Sequence, residues 1–335
     1  MFKYIVKRLL LSIIILLGVS IIIYTMVRMM PNDYVDLKFA TQLQTGAIKQ
    51  EDVDHFKELY GIGDSSFAGI AKGYFNWISK LLQGDLGNSF KYDKPVAQVI
   101  GENMWISFAI AVVATILQFL IAIPLGISSA THQYSIRDYS VTVFTMIGLS
   151  LPTYFFAAIV IKVFAVDLGW LPANGLIDAT KDYADTFAGS LDKFWDIVQH
   201  LVLPIFVSVI LSIGGLMRYT RTNTLEVLGA DYIRTARAKG LSESKVIYVH
   251  AFRNTMIPLA TLLAGILPSL FGGMMITEQV FGIDGIGRLA YQALKEGDIP
   301  FIMGYNMFLA VLTVIGTLCS DIMYSIVDPR VKLGK

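Results

Sequence analysis

The chain has 335 residues, of which 55% are apolar and only 16% are charged, and its formal net charge is +1. A soluble globular domain carries about 25% charged residues, so this composition excludes the ordinary soluble classes and indicates an integral membrane protein. The near-neutral charge does not indicate nucleic-acid binding. The single cysteine, Cys319, excludes an intramolecular disulfide and a cysteine-based structural zinc site.

Six apolar runs without Asp, Glu, Lys or Arg are candidates for crossing a membrane. About 20 helical residues cross a hydrocarbon core of roughly 30 Å, so five runs are long enough and the fourth is at the short limit. The runs are residues 9–27, 105–131, 139–161, 201–217, 256–277 and 299–320. We therefore predict an all-α membrane protein with six transmembrane helices in one domain over residues 1–335.

The charged residues divide unequally between the segments that join these runs. If the N-terminus is cytoplasmic, the inner segments carry fourteen Lys and Arg residues against six Asp and Glu residues. The outer loops carry thirteen positive and twenty negative residues over about twice that length. Because Lys and Arg concentrate on the cytoplasmic side of membrane proteins, this division predicts that both termini are cytoplasmic.

Two predicted external loops, residues 28–104 and 167–200, are too long to be simple connections. In the first, a polar stretch, Gln50–Tyr60, is helix-like. It is followed by an amphipathic pattern, Tyr74–Leu82, which predicts a helix that either lies at the membrane interface or packs on the external ends of the bundle. The second loop holds six Asp residues without the spacing of a calcium loop, so we expect a solvated acidic face there.

The inner loop at residues 229–257 holds a basic, helix-forming segment between two spanning runs. Asp231 is a plausible N-cap, the residues up to Lys239 favour a helix, and Gly240 is able to adopt the positive φ that ends one. Ser242 is then placed to begin a second helix that runs into the next span. Two interpretations remain open from these residues: a docking surface for another protein, or an amphipathic loop on anionic headgroups.

The motifs that are absent limit the chemistry of the chain. No Gly-x-x-x-x-Gly-Lys-Ser/Thr phosphate loop occurs, so active transport would need an energy source in another chain. Residues 285–290 match Gly-x-Gly-x-x-Ala, but they follow a spanning run instead of a strand and are interpreted as a tight external turn. The four His residues lack zinc-helix spacing and no Gly-x-Ser-x-Gly elbow occurs, so neither a metal site nor a hydrolase site is predicted.

A series of short motifs follows the whole chain in a specific order. They are Arg8-Leu9-Leu10, Leu17-Gly18-Val19-Ser20, Arg28 with Pro31, Gly84–Phe90, Pro95-Val96, Gly169-Trp170-Leu171-Pro172, the loop Asp231–Pro258, Phe281–Leu289 and Asp328-Pro329-Arg330. Each is weak alone. In their order and spacing they resemble the permease subunits of dipeptide, oligopeptide and nickel ABC importers, which have the type I importer architecture.

The resemblance implies a coupling role for the inner loop. In that family this loop is the EAA-type segment, whose first helix docks in a groove of the ATPase subunit. The Glu-Ala-Ala of the family falls on Arg234-Thr235-Ala236, and its glycine matches Gly240. The implied docking residues are Asp231, Tyr232, Arg234, Thr235, Ala236, Ala238, Lys239 and Gly240.

The resemblance also implies a gate at the external turn that follows the fifth run. The implied gate residues are Phe281, Asp284, Gly285 and Gly287. In this chain Asp284-Gly285 replaces the Pro-Gly of the family, so a gate geometry that depends on proline does not transfer directly.

The resemblance further implies an importer assembly in a prokaryotic cell membrane. The permease would pair with a second, similar permease, two ATPases that bind ATP and Mg, and an extracytoplasmic peptide-binding protein. No cofactor in this chain and no nucleic-acid partner is expected. Peptide would pass between the two permeases by alternating access. The alternatives are a nickel-importing permease of the same family, a self-sufficient carrier or channel, and a membrane-bound enzyme.

Overall fold

A computed structural model describes residues 2–28, 39–40, 43–46, 48–51, 53–54 and 66–327. Most of the predicted helix-like stretch Gln50–Tyr60 and the whole C-terminal motif Asp328-Pro329-Arg330 lie outside these residues. The described part of the chain is helical and contains no strand, apart from one isolated bridge between Asn88 and Pro95. The predicted all-α class is therefore confirmed for the part that the structure describes.

The main α-helices begin with a long one at the N-terminus and continue to residue 327. In chain order they are α1 (Phe2–Arg28), α2 (Phe67–Leu82), α3 (Val96–Thr131), α4 (Ile136–Ser150), α5 (Thr153–Val160), α6 (Phe187–Leu228), α7 (Asp231–Ala238), α8 (Glu243–Lys245), α9 (Phe252–Gly265), α10 (Leu267–Phe271), α11 (Met275–Val280), α12 (Ile286–Glu296) and α13 (Ile299–Val327). Two π-helical turns, Ile161–Asp167 and Val246–Ala251, continue α5 and join α8 to α9.

Four helical segments are long and apolar enough to cross a membrane. They are Val6–Met26, Val96–Thr131, Phe187–Leu228 and Ile299–Ile322. A fifth crossing results if α4 and the segment Thr153–Asp167 count as one span, although the two are bent by 106°. The bend falls at Leu151 and Pro152, because proline forces the preceding residue out of helical backbone angles. The chain is thus a multi-pass membrane protein with four or five such spans among its described residues.

The predicted fifth run, residues 256–277, is divided in the structure. It lies in α9, α10 and the first residues of α11, and residues 272–274 are not helical. Pro268 lies in the first turn of α10, where a missing N–H donor costs nothing, and Gly273 has a φ of +75° that breaks the helix after it. The sequence predicts one membrane span over this run, and the structure divides that run into three helical pieces.

The predicted fourth run, residues 201–217, is the middle part of a much longer helix. Helix α6 has 42 residues, or about 63 Å at 1.5 Å per residue, which is roughly twice the hydrocarbon thickness. Residues 187–200, which were expected to be external loop, are therefore helical, and so are residues 218–228 at the other end. A helix of this length extends beyond the bilayer.

The described residues group into two compact units. The first comprises residues within 1–102 and 289–314. Its core includes Tyr24, Trp77 and Met303, and helix α2 packs on α1 through Tyr24 and Trp77, whose ring centroids lie 6.0 Å apart. The amphipathic pattern at residues 74–82 therefore belongs to a helix that packs on α1, while Phe75 and Leu82 remain exposed.

The second unit comprises residues within 103–288 and 315–333 and contains both predicted functional sites. Its core is formed where α3, α5, α6 and α11 meet, and the residues at its centre are Ile110, Ala157, Leu203, Val207 and Phe281. A second cluster around Ile213, Met217 and Leu259 continues this core along α6 towards α9. The long helix α6 thus contributes to both clusters and connects this core to the segments that hold the predicted functional residues.

Candidate coupling hairpin and external turn

Helix α7 forms the first arm of a hairpin, residues 231–251, that we call the cytoplasmic hairpin after the side of the membrane on which the sequence predicts it. Its N-cap is Ala230, which makes no capping hydrogen bond, so the prediction of Asp231 as N-cap is wrong by one position. Asp231 is the first helical residue, where its carboxylate still interacts favourably with the N-terminal end of the helix dipole.

The end of α7 follows the predicted glycine. Gly240 has a φ of +76°, as expected for the residue that terminates a helix. Its N–H donates to the Arg237 carbonyl at 2.9 Å, and the Leu241 N–H donates to the Ala236 carbonyl at 3.4 Å. This pair of bonds is the Schellman motif, which satisfies the last carbonyl groups of a helix and reverses the chain.

The interior of the cytoplasmic hairpin is apolar. Ile233 and Ala236, three residues apart on one face of α7, are buried against Val246 and Ala251 of the second arm, and Leu241 packs on the same cluster. Residues i and i+3 lie on one side of a helix, so α7 presents a single apolar face to its partner arm. The hairpin therefore holds its own shape.

The opposite face of α7 is exposed and carries almost all of the predicted docking residues. Asp231, Tyr232, Arg234, Thr235, Ala238, Lys239 and Gly240 are exposed. Ala236 is the exception, since it is 7% exposed and packs inside the hairpin. The structure therefore brings seven of the eight predicted residues to one accessible surface, and it places Ala236 beneath that surface.

A charged pair crosses the turn of the hairpin. The Arg237 guanidinium donates to both carboxylate oxygens of Glu243, at 3.1 Å from Nε to Oε2 and 2.5 Å from Nη2 to Oε1. This bond lowers the pKa of the Glu243 carboxyl and raises the pKa of the Arg237 guanidinium. Because both side chains are largely exposed, the pair contributes little to the stability of the turn.

A second charged pair, which the sequence did not reveal, ties α4 to α6. The Arg221 guanidinium donates to Asp138 through Nε and Nη2, each at 2.9 Å, and Ser129 of α3 donates to the same carboxylate. Asp138 is 4% exposed. A bidentate pair of this kind fixes orientation as well as distance. It therefore holds the part of α6 that leads into the hairpin against α3 and α4.

The segment that we call the external turn after its predicted side of the membrane, residues 274–288, is organised by one buried carboxylate. Glu278 is 1% exposed and accepts hydrogen bonds from the Ser107 hydroxyl at 2.7 Å, the Met274 N–H at 2.9 Å and the Arg288 N–H at 2.8 Å. Ser107 in turn accepts from the Ile286 N–H at 2.8 Å. The carboxylate thereby joins α3, the break before α11 and the first turn of α12. Residues 286–290 are helical, so the prediction of a tight turn over residues 285–290 is wrong beyond Gly285.

The two predicted gate glycines lie too close to this carboxylate and its neighbours for a side chain to fit. A Cβ atom at Gly285 would lie 2.5 Å from the Glu278 carboxyl and from the Ser107 hydroxyl. A Cβ atom at Gly287 would lie 2.7 Å from the Met275 nitrogen and 3.0 Å from Glu278 Oε2. Neither glycine has a positive φ, so what they supply is space.

The other two predicted gate residues lie on opposite sides of the turn. Phe281 is 1% exposed, belongs to the core, and its carbonyl accepts from the Gly175 N–H at 2.8 Å. Asp284 is exposed and pairs with Arg288 at 2.9 Å. Sequence reasoning missed Ser107 and Glu278. The available signal was that Glu278 directly follows an apolar run, a position where a carboxylate must find internal donors.

The second of the predicted external loops is less solvated than expected. Asp196 is 4% exposed and accepts from the Asp178 N–H and the Tyr183 hydroxyl, each at 2.7 Å, and from Lys181 at 3.1 Å. Burial and the bond to Asp196 raise the pKa of Tyr183 to about 12. The expectation of a wholly solvated acidic face is therefore wrong for Asp196, which anchors the loop to the start of α6.

The chain, with a hairpin attached to a core of membrane-spanning helices, matches a known family. Residues 122–333 match the family described as binding-protein-dependent transport system inner membrane component. The chain belongs to this family. It is therefore a membrane transport subunit, and the expectation that it is not an enzyme is confirmed by this membership.

Curated relatives of this permease match over its whole length. It is 37% identical to the oligopeptide transport system permease protein AppB of Bacillus subtilis (strain 168), over 99% of this chain and 100% of the relative. It is 33% identical to the dipeptide transport system permease protein DppB of Alkalihalophilus pseudofirmus, again over 99% and 100%. Its relatives are thus bacterial permease proteins of the kind that the motifs resemble.

A solved structure supports the permease fold. The inward-facing MetNI methionine ABC transporter in its native crystal form matches with a TM-score of 0.50 at 16% identity. The match covers 69% of this chain and 97% of that chain. The similarity shows that the chain has the helical permease fold of an ABC transporter.

Proposed function

We propose that this permease forms half of the path by which an ATP-driven importer moves dipeptides or oligopeptides into a prokaryotic cell. The observation that carries the proposal is the exposed face of α7, which is supported on an apolar interior and connected to α6 by residues 229–230 and to α9 by the second arm of the hairpin. Relatives that match the full chain are named for oligopeptide and dipeptide transport, which favours peptide over nickel as the substrate.

The proposed assembly contains a second, similar permease, two ATPases that bind ATP and Mg, and an extracytoplasmic peptide-binding protein. In this assembly the exposed face of α7 docks on an ATPase, which moves the hairpin when it binds and hydrolyses ATP. Motion of the hairpin is passed to α9 through the helical residues 243–265 and to α6 at residues 228–231. The Arg221–Asp138 pair extends this connection to α3 and α4.

We also propose six crossings with both termini in the cytoplasm. The sixth crossing is the divided run at residues 256–277, since non-helical backbone is tolerated at membrane depth where it is buried in protein or lines a cavity. The excess of Lys and Arg in the inner segments supports the orientation.

With Cys319 replaced by serine, a cysteine at Ala238 should react only from the cytoplasmic side and one at Phe187 only from outside. Labelling of residue 238 from outside would reverse the orientation.

Docking is tested by a bulky substitution on the exposed face of α7. In proteoliposomes that contain the full complex, Ala238→Trp should lower peptide import at least tenfold and lower peptide-stimulated ATPase activity with it. Ser244→Trp is the matched control, because Ser244 is also exposed on the hairpin and lies outside the predicted docking set. Normal import by the Ala238→Trp variant would contradict docking through this face. A bulky residue at Ala236 tests the folding of the hairpin instead, since Ala236 is buried.

Reconstitution separates this function from that of a self-sufficient carrier. The permease pair without ATPases should move no peptide, whereas the complete complex should accumulate peptide only with ATP. Uptake by the permease alone would support a carrier or channel, and saturable nickel uptake by the complete complex would replace peptide as the substrate.

A further inference from the structure

A groove of about 490 Å³ opens on the second unit beside the break between α10 and α11. It is lined by four hydroxyl-bearing residues, Thr153, Ser208, Ser212 and Thr277, together with apolar residues that include Met275 and Ile276. A volume of this size is within the range that small-molecule sites occupy. Its walls come from α5, α6 and α11, which all contribute to one core.

The backbone beside the groove is the non-helical stretch at residues 272–274. In a protein that crosses a membrane, irregular backbone at bilayer depth is confined to positions that are buried or that line a cavity, and broken helices commonly mark transport sites. The divided run at residues 256–277 and the groove therefore both indicate a transport site beside residues 272–274.

The chemistry of the groove suits a polypeptide. None of its lining residues is charged. The Ser208 hydroxyl lies within donating distance of the Pro204 carbonyl at 2.8 Å and of the Met274 sulfur at 3.2 Å, and Ser212 donates to the Val209 carbonyl at 3.1 Å. Because both hydroxyls act as donors in these bonds, each oxygen keeps acceptor capacity for a peptide N–H. The flexible thioethers of Met274 and Met275 adapt to apolar side chains of different shape.

We propose that this groove is the surface on which the permease contacts the translocating peptide. It binds the peptide backbone through hydroxyl groups and apolar side chains through methionines. It does not select for charge, because it carries none. The inference rests on the proposed function, and it adds the location and the selectivity of the substrate contact on this chain.

The test introduces a charge where the wild-type groove has none. Ile276 lines the groove and is 50% exposed, so Ile276→Glu and Ile276→Lys place opposite charges there without filling the core. Import by the complete complex is measured for three peptides of equal length that carry positive, zero and negative side-chain charge. The glutamate variant should favour the cationic peptide and the lysine variant the anionic one, with the ratio of the two changed about tenfold or more.

The matched control is the same pair of substitutions at Leu262, which lies in α9 and is 41% exposed but does not line the groove. Control variants should keep the wild-type ratio. If both Ile276 variants also import the three peptides in the wild-type ratio, the peptide does not contact this groove, and the groove instead faces lipid or the second permease.

A second measurement decides the case if a charged variant is inactive. In a Cys319→Ser background, Ile276→Cys should be protected from N-ethylmaleimide by bound peptide, whereas Leu262→Cys should not be. Equal labelling with and without peptide would overturn the proposal. Peptide import by the unaltered complex is the separate test of the proposed function, so a failure of the groove alone remains distinguishable.

Discussion

The cytoplasmic hairpin and the external turn both contain glycines that the family resemblance singled out, but they need glycine for different reasons. At Gly240 a Cβ atom would meet nothing within 4 Å, and the requirement is the φ of +76°. At Gly285 the φ is ordinary and a Cβ atom would collide with a buried carboxylate. The hairpin has an apolar interior with its charged side chains outside, whereas the turn encloses the buried carboxyl group of Glu278. The comparison shows that a motif glycine reports either conformation or space, and that only its neighbours tell which.

The largest expected effect comes from removing the carboxylate at the centre of the turn. Glu278→Ala leaves the Ser107 hydroxyl and the N–H groups of Met274 and Arg288 without an acceptor. We expect the free energy of unfolding to fall by about 3 kcal/mol or more, because each buried donor left unpaired costs about 1–3 kcal/mol. Denaturant unfolding of the detergent-solubilised permease measures the change.

The matched control for Glu278→Ala is Glu226→Ala, at an exposed carboxylate in the same unit. It should change the free energy of unfolding by no more than about 0.5 kcal/mol. If the two alanine variants unfold at the same denaturant concentration, Glu278 does not organise the turn.

The next effect tests whether Gly285 is required for space. Gly285→Ala should lower the free energy of unfolding by about 1–3 kcal/mol through overpacking against Glu278 and Ser107, and Gly285→Asn should be worse. Gly215→Ala in α6 is the control, since its Cβ would meet nothing within 4 Å and alanine favours the helix by about 1 kcal/mol. A neutral Gly285→Asn variant would remove the steric explanation.

A smaller effect with a different pattern is expected at Gly240. Gly240→Ala should lower the free energy of unfolding by about 1 kcal/mol, because an L-residue at this positive φ is strained. Gly240→Asn should recover most of that loss, since asparagine tolerates the left-handed region. Asparagine thus separates the two glycines: it is tolerated at residue 240 and rejected at residue 285. Thermal unfolding of the four variants in parallel makes the comparison.

The smallest effect concerns the exposed charged pair of the hairpin. Arg237 holds the pKa of Glu243 below its usual value of 4.5, so the pair stabilises the hairpin above that pH and loses its contribution as the pH falls through the lowered pKa. Glu243→Gln should cost about 0.3 kcal/mol at pH 7 and nothing below the titration range, and high salt should reduce the difference. An effect above about 1 kcal/mol would indicate a partner other than Arg237.

Several features could be predicted from particular residues. The apolar runs identify membrane segments because a charge at bilayer depth is expensive, and the runs at residues 9–27 and 299–320 match spanning helices closely. Gly240 predicts the end of α7 because few other residues adopt its φ. The buried position of Ala236 could also have been predicted from the sequence, since Ala236 lies three residues from Ile233 on one helix face. The motif alone had assigned Ala236 to docking.

Other features depend on partners that are distant in the chain. Glu278 pairs with Ser107, 171 residues away, and Asp138 pairs with Arg221, 83 residues away. Composition and periodicity report on local preference and contain no term for such contacts. The 106° bend between α4 and α5 lies between these cases, because Pro152 indicates a break but not its angle.

The order of amino acids by itself determined the membrane class, the approximate positions of the apolar runs and the hairpin with its terminal glycine, because these follow from transfer free energies and backbone preferences that act over a few turns of helix. The family resemblance comes instead from the order and spacing of short motifs along the chain. Only the tertiary structure decided which carboxylates are buried, why Gly285 and Gly287 are glycines, where the fifth run breaks and which face of α7 is free. These depend on which groups meet after folding, since a buried charge or a close approach acquires its cost or its benefit from neighbours that the local sequence does not contain.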